Sequence, residues 1–254
     1  MIGVYFSGTG GTKYCVETFI RAYSPAGEAV SIEEADAAER ISGHAGLVVG
    51  YPVQFSSVPK IVRDFVADHP ELWRGRHIFV IASMGLFSGD GAGVLARLLA
   101  GYGAEIIGGL HVKMPDSICD ERVLKRTPAQ NRALVARAAE KIERAAQDLK
   151  ERRPPQEGLS PWNRLAGLLG QRLYFGGRTK KYSSRLKIDG SRCVRCGTCV
   201  RVCPMKNISM GEDRAVPGGR CTMCYRCVSL CPAQAVTLLG RRVYRQCRIE
   251  TLQP

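Results

Sequence analysis

The chain opens on an apolar run, Met1–Phe6, closed by Ser7 and Gly8. A short unbroken run of this kind predicts a buried strand. Further runs follow at Glu28–Ile32 (weak), Ala45–Tyr51 with Val48 and Val49, His77–Ser83 and Ala104–Val112. Between them apolar residues recur at helical spacing over Lys13–Ala22, over Val58–Ala67 with Pro59 in its first turn, and over Gly91–Gly101. Thr127-Pro128-Ala129-Gln130 then opens a long helix running to about Glu151, with Thr at the N-cap, Pro at the first position and Gln in the capping-box place. Five strands alternating with helices predict an α/β fold built on a doubly wound five-stranded parallel sheet. Ligands of such sheets sit beyond the carboxyl ends of the strands. The loops there are Ser7–Thr12, Tyr51–Ser57 and Met84–Gly93.

The pattern changes after residue 151. Arg152-Arg153-Pro154-Pro155 ends the helix, because proline cannot continue it and restricts the residue before. Residues 159–176 place Leu165, Leu168, Leu169 and Leu173 on or near one face, and basic residues follow at 178, 180, 181, 185 and 187. A helix packed between two domains is the preferred reading of this stretch; a peripheral membrane-surface helix is the alternative. The expected organisation is a domain over 1–153, a basic connector over 154–185 and a second domain over 186–254.

In that second domain the spacing of cysteines carries the signal. Cys193-x2-Cys196-x2-Cys199-x3-Cys203-Pro204 is repeated 28 residues later as Cys221-x2-Cys224-x2-Cys227-x3-Cys231-Pro232. This is the bacterial-type ferredoxin spacing for two 4Fe–4S clusters, in which the fourth cysteine of each run ligates the other cluster. Cys193, Cys196, Cys199 and Cys231 are assigned to one cluster, and Cys203, Cys221, Cys224 and Cys227 to the other. Zinc sites usually take cysteines in pairs, and disulfides would suit a small secreted domain. Cys15 is expected to be a buried small hydrophobe, and neither Cys119 nor Cys247 a ligand.

The first loop carries a different chemistry. Ser7, Gly8, Thr9, Gly10, Gly11 and Thr12 join a strand to a helix, so backbone N–H groups, hydroxyls and a helix N-terminus converge on one spot. The spacing matches neither a P-loop nor G-x-G-x-x-G. Neutral donors without a basic run suit a phosphate monoester such as that of FMN.

Charge divides the chain. Residues 1–150 hold 17 Lys+Arg against 17 Asp+Glu, whereas residues 151–254 hold 20 against 6, so the whole excess of +14 is C-terminal. Two oxidised clusters would bring it to about +10. Such a surface steers acidic partners toward the clusters. The 254 residues, 45% of them hydrophobic, suffice for one large and one small domain. There is no signal-peptide pattern and no apolar run of spanning length, and the cysteine usage fits a reducing, anaerobic cytoplasm.

These residues resemble known families. Residues 1–150 resemble a flavodoxin in Ser7-x-x-Gly10-x-Thr12 after Val4-Tyr5-Phe6, in Gly103-Ala104-Glu105-Ile106-Ile107 and in Gly89-Asp90-Gly91. The resemblance implies FMN, with ring contacts from Tyr51, Pro52, Val53 and Phe55 in one loop and from Met84, Gly85, Phe87, Gly89 and Asp90 in the other. The loop after Tyr51 lacks the tryptophan some flavodoxins stack on the ring, which leaves Tyr51 or Phe55 for that role. With Met114-Pro115-Asp116, Lys180-Lys181-Tyr182, both cysteine runs and Arg241-Arg242-x-Tyr244, the whole chain resembles the flavodoxin–ferredoxin fusion proteins. Their tails tend to have His and Pro where Arg245-Gln246-Cys247 stands here. The resemblance implies electron transfer between FMN and two 4Fe–4S clusters. An acidic ferredoxin- or flavodoxin-type partner is expected from the charge, and no nucleic acid, since no groove-reading motif is present. An FMN-dependent reductase of a small molecule, fed by its own clusters, is the alternative.

Overall fold

The computed structural model describes residues 1–86, 89–122, 125–162, 182 and 184–252. Its N-terminal elements are β1 (Ile2–Tyr5), α1 (Gly11–Tyr23), β2 (Ala29–Ser31), α2 (Ala37–Ser42), β3 (Gly46–Pro52), α3 (Lys60–Asp68), β4 (His77–Met84), α4 (Gly91–Ala100), β5 (Glu105–Lys113) and α5 (Pro128–Lys150). All five strands pair in parallel in the order β2-β1-β3-β4-β5. That order is the flavodoxin-like doubly wound arrangement, whose switch point lies between β1 and β3.

The strands read as unbroken apolar runs because both faces are covered. Leu47, Val49 and Tyr51 of β3 and Ile78, Val80 and Ala82 of β4 face one core, shared with Val62 and Val66 of α3 and Leu95 and Leu99 of α4. Val48, Phe79 and Ile81 face the other, filled by Val16, Phe19 and Ile20 of α1 and Val135, Ala138 and Ile142 of α5. Phe19 stacks on Phe79 with ring centroids 4.8 Å apart. The helix α5 starts as its sequence predicts. The Gln130 N–H donates to Thr127 Oγ1 at 3.2 Å, and the Thr127 N–H donates to Gln130 Oε1 at 2.8 Å.

The helix α2 was not foreshadowed by periodicity; at six residues it is too short to show any. After α5 the chain does not leave the sheet at once. The Gly109 N–H donates to Pro155 O at 2.8 Å and the Glu157 N–H to Gly109 O at 2.9 Å, so Pro155–Glu157 lines the free edge of β5. The leucines 165–173 lie outside the described residues.

The C-terminal unit contains β6 (Lys187–Ile188), α6 (Thr198–Arg201), a hairpin of β7 (Ile208–Met210) and β8 (Ala215–Pro217), α7 (Arg226–Leu230) and β9 (Val236–Thr237), with β6 antiparallel to β9. Its two halves share a backbone. Positive φ occurs at Arg195 and Met223, at Gly197 and Tyr225, and at Lys206 and Gln234. Each pair is separated by the same 28 residues as the cysteine runs. Left-handed conformations are costly for residues other than glycine. Their recurrence at matched positions marks a shape imposed by what the loops must surround. Among the described residues no helix is long and apolar enough to cross a membrane.

Candidate functional site

The eight cysteines of the two runs are free thiols, and the fold sorts them into two sets. Cys193, Cys196 and Cys199 share a pocket with Cys231 from the second run. Cys221, Cys224 and Cys227 share another with Cys203 from the first. Most of the remaining wall is apolar, with Ile188, Ala215, Ala235 and Val236 beside Arg195 and Thr198 in one, and Leu186, Met205, Val228 and Leu238 beside Thr222 and Tyr225 in the other. Among the described residues, no group of three or more His, Cys, Asp or Glu converges on a single ion.

Backbone donors finish each pocket. The Asn207 N–H donates to Cys203 Sγ and the Ala235 N–H to Cys231 Sγ, both at 3.3 Å and 28 residues apart. The Met223 N–H donates to Cys221 Sγ at 3.3 Å. Burial pushes the Cys224 thiol up to about 12 and raises Cys199, Cys221 and Cys227 as well. Hydrogen bonding between Cys196 and Thr198 lowers the Cys196 thiol at the surface. Buried thiols of this kind become thiolates only when a metal takes their protons' place. Four soft donors, no His, Asp or Glu among the described lining residues and N–H groups aimed at sulfur fit an iron–sulfur cluster in each pocket.

A third cavity, of about 490 Å³, lies where the strands of the sheet end. That is the usual size of a small-molecule site. Ser7, Gly8, Thr9, Gly11 and Thr12 after β1 form one end of it, Pro52–Ser56 after β3 and Ser83–Leu86 at the end of β4 its flanks, and Met114–Ile118 after β5 another wall. The Ser7 hydroxyl is buried and has no hydrogen-bond partner in the protein. The helix α1 begins at Gly11 behind Gly10, with no side-chain cap on its N–H groups. Thr12 Oγ1 and Ser83 Oγ lie 2.7 Å apart. An unsatisfied buried hydroxyl beside an uncapped helix start is a cradle for an anion held by neutral donors, and a phosphate monoester fits it.

The predicted residues divide. Ser7, Gly8, Thr9, Gly11, Thr12, Pro52, Val53, Phe55, Met84 and Gly85 line the cavity. Gly10 does not; it sits behind the loop with φ +90°, and a Cβ there would lie 2.1 Å from the Ile249 side chain. Tyr51 does not line the cavity either. It is fully buried in the sheet core, and its hydroxyl donates to Gly91 O. Asp90, equally buried, pairs with Arg97 at 2.5 Å beneath α4, and Gly89 likewise stands outside the lining. Phe87 lies outside the described residues. Cys119 and Cys247 line neither cysteine pocket; Cys119 Sγ lies 3.1 Å from Ser229 Oγ.

Sequence reasoning missed what closes the cavity. Met223, Cys224, Tyr225, Leu238 and Leu239 of the C-terminal unit complete its lining, and Cys224, Tyr225 and Leu238 also line the Cys203 pocket. One layer of residues separates the two. A Cβ on Gly8 would lie 2.0 Å from Cys224 O, so the loops touch backbone to backbone. The guanidinium of Arg226 donates to Ser7 O at 2.7 Å and forks onto Glu33 at 2.6 and 2.7 Å. Asp120, 1% exposed, accepts the Tyr225 hydroxyl on one oxygen at 2.9 Å and the N–H groups of Leu238, Leu239 and Gly240 on the other at 2.6, 2.9 and 3.1 Å. Burial, and then Asp120 beside it, push the Tyr225 phenol upward, so it serves as a donor. The tail returns as well: the Ile249 N–H donates to Thr9 O at 3.1 Å, and Ile249 and Leu252 pack into the core under α1 and α5. Arg226 and Asp120 carry no local sequence signal: a charge inside a cysteine loop reads as surface, and the partners of Asp120 lie 105 to 120 residues away.

Residues 185–235 match the family model of the 4Fe–4S dicluster domain. No curated protein matches the chain. Similar solved structures include two-electron reduced Megasphaera elsdenii flavodoxin, at 22% identity and TM-score 0.43, covering 57% of this chain and 98% of that one. Oxidised Flavodoxin 2 from Bacillus cereus is 19% identical at TM-score 0.43, covering 59% and 97%. The flavodoxin-like assignment of the N-terminal unit rests on its strand order, not on these likenesses. The chain thus joins a flavodoxin-like fold to a 4Fe–4S dicluster domain, the composition of an electron-transfer protein.

Proposed function

We propose that the chain is an electron-transfer flavo-iron–sulfur protein, with FMN in the cavity at Ser7–Thr12 and a 4Fe–4S cluster in each cysteine pocket. When bound, the clusters supply one-electron exchange and the flavin one- or two-electron exchange. The observation that carries this reading is the shared wall: Cys224, Tyr225 and Leu238 line both the cavity and the Cys203 pocket. The protein's own residues do the positioning. Ser7 and the uncapped start of α1 hold the phosphate; Arg226 and Asp120 fix the cysteine loops over the cavity. Tethering keeps the centres in register without a diffusional encounter.

For the external partner we propose an acidic ferredoxin- or flavodoxin-type protein that docks on the Cys193 pocket. Cys196 there is exposed, and Val194 and Met210, at 65% and 39% exposure, line the same pocket. The exposed Arg195 lines it too, the exposed Arg201 donates from Nη1 to Cys196 O at 3.0 Å, and Arg192 and Arg214 are exposed in the same unit. An apolar centre inside a basic rim suits a transient complex steered by charge. Arg226, whose charge alone would suggest the same role, is consumed inside the molecule by Glu33.

Cofactor analysis of anaerobically purified protein tests the core of the proposal. It should give about eight iron and eight sulfide per chain, as two 4Fe–4S clusters require. FMN should bind and riboflavin much more weakly, since the loop recognises the phosphate. Zinc in place of iron, four irons, or riboflavin binding as tightly as FMN would each reject it.

A further inference from the structure

We infer a second anion-binding site, remote from the Ser7 loop, in which Lys125, Arg126, Arg245 and Arg248 hold a phosphate monoester or a similarly compact dianion. These residues line a cavity of about 310 Å³ between the start of α5 and the C-terminal tail, large enough for a small ligand. Asp116 is the only acidic side chain in its lining, and it already takes Lys125 Nζ at 3.1 Å. The three arginines therefore face the cavity without a counter-charge from its walls. Arg126 Nη1 is buried and has no hydrogen-bond partner. Arg245 Nη1 donates to Arg126 O at 2.6 Å, which draws the two residues onto one wall. A buried guanidinium N–H left unpaired costs free energy that a bound anion would recover. Guanidinium forks match the oxygens of phosphate better than a spherical anion. Asn131 and Thr251 add neutral hydrogen-bonding groups, and Pro128 and Leu252 an apolar side for the body of the ligand.

The site is built across a junction. Lys125 and Arg126 come from the loop before α5, Arg245 and Arg248 from the tail. The residue after Arg248 is Ile249, whose N–H holds Thr9 O at 3.1 Å and whose side chain covers Gly10. An anion bridging the two sides holds the tail on the Ser7 loop. By linkage, whatever that loop binds then holds the anion more tightly in return.

The test titrates full-length, cluster-loaded and FMN-saturated protein with inorganic phosphate by calorimetry at fixed ionic strength, with glycerol phosphate and sulfate as parallel arms. One saturable event per chain is expected. Arg126→Gln and Arg245→Gln should each weaken it about tenfold or more, as loss of a charge-assisted hydrogen bond does, with Arg126→Lys intermediate. Tighter binding of glycerol phosphate than of phosphate assigns an organic monoester; equal binding assigns the free ion. Phosphate should slow FMN release in the parent protein and not in Arg245→Gln/Arg248→Gln. The exposed Arg248→Gln tests the site independently should Arg126→Gln fold poorly, which thermal unfolding monitors. No saturable binding, or binding unchanged in all these variants, would overturn the inference. Phosphate captured by the Ser7 loop is told apart because FMN displaces it and Arg126→Gln leaves it intact, so failure of the flavin reading does not confound this one.

Discussion

Asp120→Ala is the sharpest test of how the two units are joined. In the folded protein this carboxylate accepts four hydrogen bonds, from Tyr225 Oη and from the N–H groups of Leu238, Leu239 and Gly240. Alanine leaves three backbone donors and a phenol facing a void. Stranding a buried donor costs about 1–3 kcal/mol, so four of them at the low end give about 4 kcal/mol. Water entering the void keeps the sum from its upper limit, and losses above about 5 kcal/mol are exceptional for a point change. Asn should cost far less, about 1–1.5 kcal/mol, because its oxygen still accepts the three N–H groups while its amide donates to Tyr225 Oη. Tyr225→Phe removes a single bond and should cost about 1 kcal/mol. The assay is anaerobic guanidinium unfolding of the cluster-loaded protein, followed by visible cluster absorbance and far-ultraviolet circular dichroism. The cluster-unit transition should move to lower denaturant more than that of the sheet. If Asp120→Ala lies within about 1 kcal/mol of the parent, well under the loss worked out above, the hydrogen-bond reasoning fails. If Asn proves as damaging as Ala, charge and not bonding geometry holds the junction.

Other consequences are equally direct. Cys203→Ser should lower iron and sulfide from about eight to about four per chain. It should spare the Cys193 pocket, its nearer neighbour in sequence, and Cys231→Ser should do the reverse; electron paramagnetic resonance of the survivors distinguishes the two. Gly8→Ala puts a Cβ 2.0 Å from Cys224 O; FMN affinity and the environment of the adjacent cluster should both change, whereas Gly43→Ala, with nothing within 4 Å, should change neither. Reduction by an acidic ferredoxin should slow as salt rises past the range where the screening length falls to about 8 Å. Reversing Arg192, Arg195 and Arg201 to Glu should slow it at low salt, and a rate indifferent to both would remove the docking face.

Much of this was readable from the sequence, for reasons that are local. Val48-Val49 and the run from His77 to Ser83 declare strands because both of their faces are buried; Thr127 and Gln130 declare a helix start because the capping box is a contact within four residues. The cysteine sets were readable because ligand spacing fixes which thiol faces which centre. The ring contacts were not. Tyr51 sits at the end of a strand, where the alternation of faces decides whether it points to the ligand or to the core, and it points to the core beside Gly91. Asp90 precedes α4 and is spent on Arg97. Neither outcome is encoded within a few residues of the side chain concerned.

The junction is the extreme case of such distance, and it decides how the molecule is used. Partners of the contacts that matter are 105 residues apart for Asp120 and Tyr225, 193 for Glu33 and Arg226 and 169 for Gln54 and Met223. Through these three, and through Arg226 on Ser7 O, four of the five strand ends reach the cysteine unit: β2 by Glu33, β1 by Ser7, β3 by Gln54 and β5 by Asp120. That unit thus occupies part of the face where a doubly wound sheet exposes its ligand site. Of the two cysteine pockets, one shares a wall with the cavity and the other carries the exposed Cys196 and its arginine rim. The second pocket is thus the one with an exposed cysteine, in the part of the chain that carries all the excess positive charge. Because Cys203 and Cys231 cross over, each run supports the pocket that its partner run surrounds, and the two halves pack around one core.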